Sequence, residues 1–229
     1  MGVDRTPCVP TLETNCHAAV DFCERLLRDL EPSRGSRVRS GRSLFGEGLR
    51  GSFRRWGILQ MRTEQLVDRR AWATYDSSKR YRYTLGRMWN PDKPRCAFIM
   101  LNPSTATEFI LDPTVNRCVG YAKAWGYGSL EVGNLFALRS TDPKRLYEVR
   151  DPVGPDNDVA LVSIVRCAEL VIAAWGAHGE LAARAIEVST LLREAGVELQ
   201  CLGQTRSGEP LHPLYLSANV KPRRFENGL

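Results

Sequence analysis

The sequence predicts an α/β protein with three α/β/α layers around a central, mainly parallel four-stranded sheet, preceded by a helical and basic N-terminal extension. From residue 96 onward, short apolar runs alternate with amphipathic segments in the order β-α-β-α-β-α-β, which is typical of parallel strands joined by crossover helices. Each apolar run is nearly continuous, as expected for strands buried on both faces. Residues 33–56 instead carry seven arginines and one acid among glycines and serines, too few apolar residues to build a core.

Composition fits one folded domain with an appendage. Of 229 residues, 43% are hydrophobic and 25% are charged, which excludes wholesale disorder. The net charge of +6 suits a polyanionic partner without requiring one. The seven cysteines are scattered and include no Cys-x-x-Cys pair, so we expect free thiols in a cytoplasmic protein and neither a metal nor a cofactor. We see no secretion signal and no apolar run long enough to span a membrane.

The N-terminal region, residues 1–71, is predicted to hold a helix and a basic arm. Apolar residues at helical spacing over 13–30 predict the helix, with Phe22 and Leu26 as the clearest pair. The arm at 33–56 has two interpretations, which the residues leave open. It is either a solvated linker or a segment that grips nucleic-acid phosphates and releases their counterions. The folded domain is expected to span residues 72–229.

The first half of that domain contains two strands and a helix. The alternation in "KRYRYTLGRMW" predicts a strand or hairpin arm. After the turn cluster "NPDKP", the run "RCAFIML" predicts a buried strand that ends at Asn102. The segment "DPTVNRCVGYAKAWGYG" predicts a helix with Pro113 in its first turn and a glycine stop.

The second half continues the alternation. The segments "SLEVGNLFAL", "ELVIAAWGAHG" and "VELQCLG" predict three more strands. Two helices separate them, one in "VGPDNDVALVSIVRCA", capped near Asp156, and one in "ELAARAIEVSTLLREAG".

Polar residues follow the ends of these strands. Asn102 ends the first core strand, Asn134 lies near the end of the second, and His178 and His212 follow the third and fourth. Ligands of open α/β sheets bind outside the carboxyl ends of the strands. A single asparagine there is an ordinary turn former, and a single histidine is an ordinary loop residue. Two asparagines and a histidine at one edge favour a binding or catalytic site.

Four motifs in order resemble those of the uracil-DNA glycosylase superfamily. They are "LNPS" (101–104), "GNLF" (133–136), "AAWGAHG" (173–179) and "HPLYLS" (212–217). The wider stretch "MLNPSTA…DPTVNRC…WGYG…NLFALRSTDP…WGAHG…HPLYL" is identified as that of a member of the DUF1643 family, a group of bacterial and phage proteins. The superfamily resemblance, over about residues 96–225, implies a DNA glycosylase whose partner is DNA with an extruded base.

The resemblance also implies catalytic residues. Asn102 would hold the attacking water, where the best-known branch has aspartate and the mismatch-specific branch has asparagine. An amide orients water but cannot take its proton. His212, as neutral imidazole, would donate to the departing base. Asp112 is the nearest spare carboxylate, and it is either a general base or, as we favour, a helix cap.

A second group of residues would bind the base. By the resemblance, Asn134 would read the Watson–Crick edge of the flipped base; Phe136 is a candidate for stacking on it. Ser104 lies where the best-known branch of the superfamily has a tyrosine, whose ring rejects bases substituted at carbon 5. We therefore expect a pocket that admits 5-substituted pyrimidines, such as the hydroxymethylated or glucosylated bases of phage DNA, which would suit antiviral defence.

A third group would contact the DNA itself. Leu216 takes the place of the superfamily's apolar wedge, which fills the gap left by the flipped nucleotide. Ser217, Arg223 and Arg224 would grip phosphates, although a solvated tail is the alternative for this segment. His178 either contacts phosphate or caps the following helix.

Other functions stay open on the same fold. One is a nucleotide- or base-modifying hydrolase or transferase, and another is a non-catalytic nucleic-acid-binding module. A dinucleotide-binding domain is disfavoured because no glycine-rich fingerprint follows the first strand. A serine hydrolase is disfavoured because no nucleophile elbow occurs.

Overall fold

The computed structural model describes residues 71–177 and 182–226, and these belong to one compact unit. The expected helix at 13–30, the basic arm at 33–56 and His178 lie outside the described residues. No helix within the described ranges is long and apolar enough to cross a membrane.

The described residues form seven strands, four α-helices and a short 3₁₀ helix. The strands are β1 (Ala71–Tyr75), β2 (Arg82–Met88), β3 (Arg95–Met100), β4 (Ser129–Asn134), β5 (Leu170–Ala173), β6 (Leu199–Cys201) and β7 (Arg223–Arg224). The helices are α1 (Pro113–Ala124), α2 (Arg145–Glu148), α3 (Asn157–Arg166) and α4 (Ala182–Glu194), with the 3₁₀ helix at Pro213–Tyr215.

All seven strands join one sheet in the order β1-β2-β4-β3-β5-β6-β7. The central strands β4, β3, β5 and β6 pair in parallel, and the α/β class is confirmed. The prediction of a four-stranded sheet is wrong, because antiparallel strands extend both edges. The β1–β2 hairpin pairs with β4, and β7 pairs with β6. These additions satisfy backbone groups that a four-stranded sheet would leave exposed at its edges.

Helices cover both faces of the sheet, as the alternation of β3 shows. Ala97 and Ile99 contribute to one core cluster, which includes buried side chains of α3 and α4. Phe98 and Met100 point to the other face and pack in the core cluster of α1. Burying a large apolar side chain contributes about 1.5–3 kcal/mol, so these two cores fix the sheet between its helices.

Helix α1 begins where its local sequence predicts. The Asp112 carboxylate accepts a hydrogen bond from the backbone N–H of Val115 at 2.7 Å, and Pro113 occupies the first turn. This is the capping geometry that favours aspartate before a helix. The helix ends before Gly126, which has a φ of +92° that favours glycine. The loop between β3 and α1 is thereby fixed at its second end.

Candidate active site

A cleft of about 180 Å³ lies at the carboxyl edge of the parallel strands. Part of its lining is apolar, from Met100 and Leu101 at the end of β3 and from the buried Trp175 after β5. The polar side chains that line it are Arg82, Asn102, Ser104, Asp112, Thr114, Ser140, Thr141 and His212. Four residues singled out in the sequence, Asn102, Ser104, Asp112 and His212, thus share one cleft. They come from the loop after β3 and from the segment after β6.

Asn102 is held by its amide nitrogen. Its Nδ2 donates to the carbonyl oxygens of Pro103 at 3.1 Å and Ser140 at 2.8 Å. The backbone N–H of Ser140 returns a bond to the Pro103 carbonyl at 2.8 Å. With both amide hydrogens engaged, Oδ1 is the group that Asn102 can offer to a ligand, and it is an acceptor. Asn102 can therefore orient a water molecule by accepting one of its hydrogens.

His212 begins the short 3₁₀ helix in the segment after β6. Its Nδ1 accepts a hydrogen bond from the backbone N–H of Leu214 at 3.4 Å. A neutral imidazole that accepts at Nδ1 carries its hydrogen on Nε2 and is a donor there. Gly176, with a φ of +77°, passes beside it, since a Cβ at Gly176 would lie 3.6 Å from the Cβ of His212. The loop after β5 thus supports the histidine.

Asp112 is both a helix cap and a lining residue of the cleft. The capping bond uses Oδ1, and no other hydrogen bond to this carboxylate occurs within the described ranges. Its second oxygen remains an acceptor beside the cleft. The two interpretations of Asp112, cap and general base, are therefore compatible.

The segment that carries His212 is bound to helix α1 by three side chains one turn apart. Arg117 donates to the carbonyl of Leu216. The Tyr121 hydroxyl lies 3.0–3.3 Å from the carbonyl oxygens of Pro213, Leu216 and Ser217. Trp125 Nε1 donates to the Val220 carbonyl at 3.2 Å. Together these contacts fix residues 213–220, and so the position of His212.

Arg82 is a cleft residue that the sequence analysis missed. Its side chain is only 2% exposed, and Nη1 donates to the Ala106 carbonyl. A register shift between Thr74 and Tyr75 pairs Tyr75 with Arg82 instead of Tyr83. Such a bulge changes the direction in which a strand side chain points. The sequence shows an arginine in an alternating strand, but it does not show this shift.

The loop between β3 and α1 presents three consecutive apolar side chains to solvent. Phe109 is 63% exposed, Ile110 is 64% exposed and Leu111 follows. The Thr107 hydroxyl accepts from the N–H groups of Phe109 and Ile110, both at 3.2 Å. The Tyr75 hydroxyl donates to Glu108 at 2.8 Å, which fastens the loop to the β1–β2 hairpin. An apolar tip is therefore held in place directly before the cleft residue Asp112.

Two residues predicted to bind the base lie outside the cleft. Asn134, at the end of β4, is 1% exposed and pairs in register with the cleft residue Met100. Neither its Oδ1 nor its Nδ2 has a hydrogen-bond partner among the described residues. The Phe136 side chain is buried in the core cluster that includes residues of α3 and α4, and its backbone N–H donates to the Leu101 carbonyl. Phe136 thus contributes to the packing of the core.

The predicted DNA-contacting residues are spread over the C-terminal segment. Leu216 is half-buried against the α1 core, since its carbonyl is bound by Arg117 and Tyr121, and the exposed side chain beside it is Tyr215, at 88%. Ser217 is exposed. The remaining two, Arg223 and Arg224, are exposed on the edge strand β7, where Arg224 pairs with Glu198 at 3.2 Å.

No group of three histidine, cysteine, aspartate or glutamate side chains within residues 71–177 and 182–226 is arranged to hold a metal ion. The described polar lining of the cleft consists of amide, hydroxyl, carboxylate, imidazole and guanidinium groups.

Comparison with known proteins places the chain in a family. The model of DUF1643, a protein family of unknown function, matches residues 82–214. The chain belongs to the DUF1643 family. No curated protein and no solved structure matches it. The DUF1643 match begins at Arg82 and includes Asn102, Asp112 and His212, whereas Tyr215 and the segment after it lie outside. The resemblance to the uracil-DNA glycosylase superfamily therefore rests on the sequence motifs.

Proposed function

We propose that this DUF1643 protein is a DNA glycosylase. It flips a pyrimidine, 5-substituted in its preferred substrate, out of DNA and hydrolyses the N-glycosidic bond to leave an abasic site. The observation that carries the proposal is the meeting of Asn102 and His212 in one cleft at the carboxyl edge of the parallel strands. A water-orienting acceptor and a hydrogen-bond donor then face a common space. Hydrolysis of an N-glycosidic bond uses both groups, because one positions the attacking water and the other stabilises the departing base.

The proposed reaction divides among three residues of the cleft lining. Cleavage leaves positive charge on the sugar and moves the bonding electron pair onto the departing base. His212 donates from Nε2 to the base oxygen where negative charge develops. Asn102 Oδ1 orients the water that attacks the sugar carbon. Asp112, through the oxygen not used in capping, takes the proton that this water loses.

The size of the cleft supports a substrate the size of one ring. Its volume of about 180 Å³ is below the roughly 300–1,000 Å³ of sites that enclose whole drug-sized ligands. A flipped base enters such a cleft while its sugar and phosphates stay at the mouth. Ser104 is a small side chain in the lining, and we propose that it leaves room for a substituent on carbon 5. The small Ser104 side chain, and not the volume of the cleft, is the basis for proposing modified phage bases as substrates and antiviral defence as the use.

Two exposed apolar tips support contact with a duplex. Phe109 and Ile110 precede the cleft residue Asp112, and Tyr215 follows His212 closely in the chain. Exposed apolar clusters mark interaction sites, and apolar side chains inserted between bases help to unstack them. The tip of the C-terminal segment is Tyr215, so we propose it as the wedge in place of Leu216. Arg223, Arg224 and Ser217 stay proposed phosphate contacts.

The test is an excision assay on a panel of duplex oligonucleotides. Each carries one cytosine, thymine, uracil, 5-hydroxymethylcytosine or glucosylated 5-hydroxymethylcytosine, and alkaline strand cleavage reports abasic sites. We expect cleavage at a 5-substituted base, and a loss of about 100- to 1,000-fold in His212→Ala. Asn219→Ala changes an exposed asparagine outside the cleft lining and serves as the matched control.

The panel separates the parts of the proposal. Abasic sites at none of the bases would reject a DNA glycosylase. Efficient excision of uracil with no action on the modified bases would keep the glycosylase and reject the preference for 5-substituted pyrimidines. Free nucleotides carrying the same bases are assayed beside the panel, and base release from them instead of from DNA would favour a nucleotide hydrolase on the same site.

A further inference from the structure

The buried guanidinium of Arg82 lines the cleft without an acidic partner. It is 2% exposed, and none of the salt bridges in the described part of the chain includes it. Its single described hydrogen bond runs from Nη1 to the Ala106 carbonyl, and Nε has no partner. Burying a charge is costly unless it is paired and hydrogen-bonded. The chain therefore leaves most of the hydrogen-bonding capacity of this cation unused.

Arg82 nevertheless remains a cation at neutral pH. Burial lowers the pKa of its guanidinium from the usual 12.5 to about 10, and the negative charge of Asp112 opposes that change. Asp112 also lines the cleft, but its described hydrogen bond comes from the start of helix α1. The acid thus influences Arg82 through its charge without forming an ion pair with it.

Anchoring the loop does not explain why Arg82 lies in the cleft, as its neighbour Arg87 shows. Both arginines belong to β2, and both donate to adjacent carbonyls of the same loop, Ala106 for Arg82 and Thr107 for Arg87. Arg87 is half-buried and is not part of the cleft lining. One arginine therefore holds the loop from outside the cleft, and the other places its charge inside.

We infer that Arg82 is the anion-binding residue of this cleft and receives a negatively charged oxygen of the ligand on its unused N–H groups. A guanidinium presents several donors in a planar fork and binds anionic oxygens strongly. Ser104, Thr114 and Thr141 line the same cleft, and a hydroxyl group is a hydrogen-bond donor that can add to the fork of Arg82.

The inference depends on the cleft alone, and it extends the proposed function. In a glycosylase, the anionic oxygen belongs to the departing pyrimidine, and Arg82 shares its negative charge with His212. In an enzyme that acts on nucleotides, the oxygen belongs to a phosphate. Both ligands present the same chemistry to Arg82, so the experiment must distinguish them.

Isothermal titration calorimetry of the full chain with two probes distinguishes a base oxygen from a phosphate oxygen as the ligand of Arg82. One probe is inorganic phosphate and the other is 5-nitrouracil, a free base with a carbon-5 substituent that is an anion at neutral pH. We expect saturable binding of at least one probe by the wild-type protein. Arg82→Gln should weaken that binding at least about tenfold, because a hydrogen bond to a charged group is lost. Arg87→Gln, the matched control, should stay within about twofold of the wild type.

Each outcome either supports or overturns the inference. Binding of neither probe by the wild type, or equal weakening in Arg82→Gln and Arg87→Gln, overturns it. Binding of phosphate alone identifies a phosphate site, and binding of the base alone identifies a leaving-group site. If Arg82→Gln does not unfold cooperatively, Arg82→Lys replaces it and should weaken binding at least about threefold, since an ammonium lacks the planar fork. Unchanged affinity in that variant also overturns the inference.

These measurements do not depend on turnover. Arg82-dependent binding together with no excision on the oligonucleotide panel would reject the glycosylase and leave the anion site intact. Excision on the panel together with unaltered probe binding in Arg82→Gln would keep the glycosylase and overturn the assignment of Arg82 as the anion-binding residue.

Discussion

Asn102 donates both of its amide hydrogens to carbonyl oxygens, those of Pro103 and Ser140. A carboxylate in its place would face the same two oxygens with no hydrogen to donate. We therefore expect Asn102→Asp, although it introduces the residue of the best-known glycosylase branch, to lower excision about tenfold or more. It should also destabilise the fold by about 1–3 kcal/mol. Excision rates and urea unfolding measure the two effects.

Asn219→Asp is the control for this substitution, because it makes the same chemical change at an exposed position. It should leave both measurements near those of the wild type. An Asn102→Asp variant that excises faster than the wild type would show that the carbonyl contacts do not hold the side chain during the reaction.

Tyr75 gives the protein a sensitivity to alkaline pH. Burial, together with the hydrogen bond to Glu108, raises the pKa of Tyr75 to about 12, from a usual value of 10.0. A folded-state pKa above the unfolded one contributes stability below pH 10, and that contribution is lost as the pH rises toward 12. We expect the wild type to lose more stability than Tyr75→Phe between pH 9 and pH 11, as urea unfolding can measure.

The exposed Tyr147 supplies the comparison for this pH effect, since Tyr147→Phe removes a hydroxyl without removing the Glu108 contact. That variant should follow the wild-type curve. If Tyr75→Phe follows it as well, the Tyr75 hydroxyl does not anchor the loop.

At the scale of the elements, the loop between β3 and α1 is held by hydrogen bonds to the Thr107 hydroxyl and by the bond from Tyr75 of the hairpin to Glu108. Flipping a base from a duplex costs a few kcal/mol, and apolar side chains at the gap help to offset this. We expect the double variant Phe109→Ala and Ile110→Ala to lower excision from duplex DNA about tenfold or more. Excision from single-stranded DNA of the same sequence should change much less, because no base pair is opened.

A matched change elsewhere tests whether exposure alone matters. Ile186 is an exposed apolar side chain on α4, and Ile186→Ala should affect neither substrate. Equal losses on duplex and single strand in the loop variant would argue against a role in opening the duplex.

Tyr121 tests how the C-terminal segment is held. Its hydroxyl lies within hydrogen-bonding distance of three carbonyl oxygens, and its ring contributes to the core whether or not the hydroxyl is present. We expect Tyr121→Phe to cost about 1 kcal/mol of stability and to speed amide exchange at residues 214–217. Excision should fall further than the loss of stability suggests, because His212 then lies in a segment with fewer bonds to helix α1. Unchanged exchange at these amides would show that Arg117 and Trp125 suffice.

At the scale of the whole molecule, the basic arm is predicted to contribute to DNA affinity through charge. Each phosphate contact changes the slope of log affinity against log salt by about 0.9. We expect the triple variant Arg37→Gln, Arg39→Gln and Arg42→Gln to bind DNA with a shallower slope, by up to about 0.9 for each arginine in contact. Filter binding at a series of salt concentrations measures this slope.

The control for the arm is a triple variant that removes the same three positive charges from the folded part of the chain that the structure describes. Arg145, Arg150 and Arg193 are exposed there, and their substitution by glutamine should leave the slope unchanged. If both triple variants change the slope equally, the arm affects DNA affinity only through the net charge of the protein and does not contact phosphates.

The parallel strands and helix α1 were predictable because their signals are local. Asp112 and Pro113 lie beside the helix that they start, and the run at β3 is apolar throughout. The edge strands were harder to predict. β1 and β7 pair with distant segments, and β7 is formed by only two arginines, Arg223 and Arg224. A short polar strand has no pattern of its own, since its partner alone defines it.

The site was partly predictable for a related reason. Asn102 and His212 follow strands, and the carboxyl ends of parallel strands share one edge, so their meeting follows from topology. The position of Arg82 in the cleft depends on a register shift between β1 and β2. The burial of Asn134 depends on the face of the sheet to which the last residue of β4 points. Leu216 and Tyr215 differ in exposure because of carbonyl contacts from α1. Such details are set by tertiary packing.

The side chains of Arg117, Tyr121 and Trp125 donate hydrogen bonds to main-chain carbonyl oxygens of the C-terminal segment. Every amino acid carries such an oxygen, so the identities of the side chains at Leu214, Tyr215 and Ser217 are irrelevant to that grip. Substitutions at these three positions can therefore change the surface that the segment presents beside the cleft without moving His212. The position of the histidine and the chemistry of the neighbouring surface are thereby independent of each other.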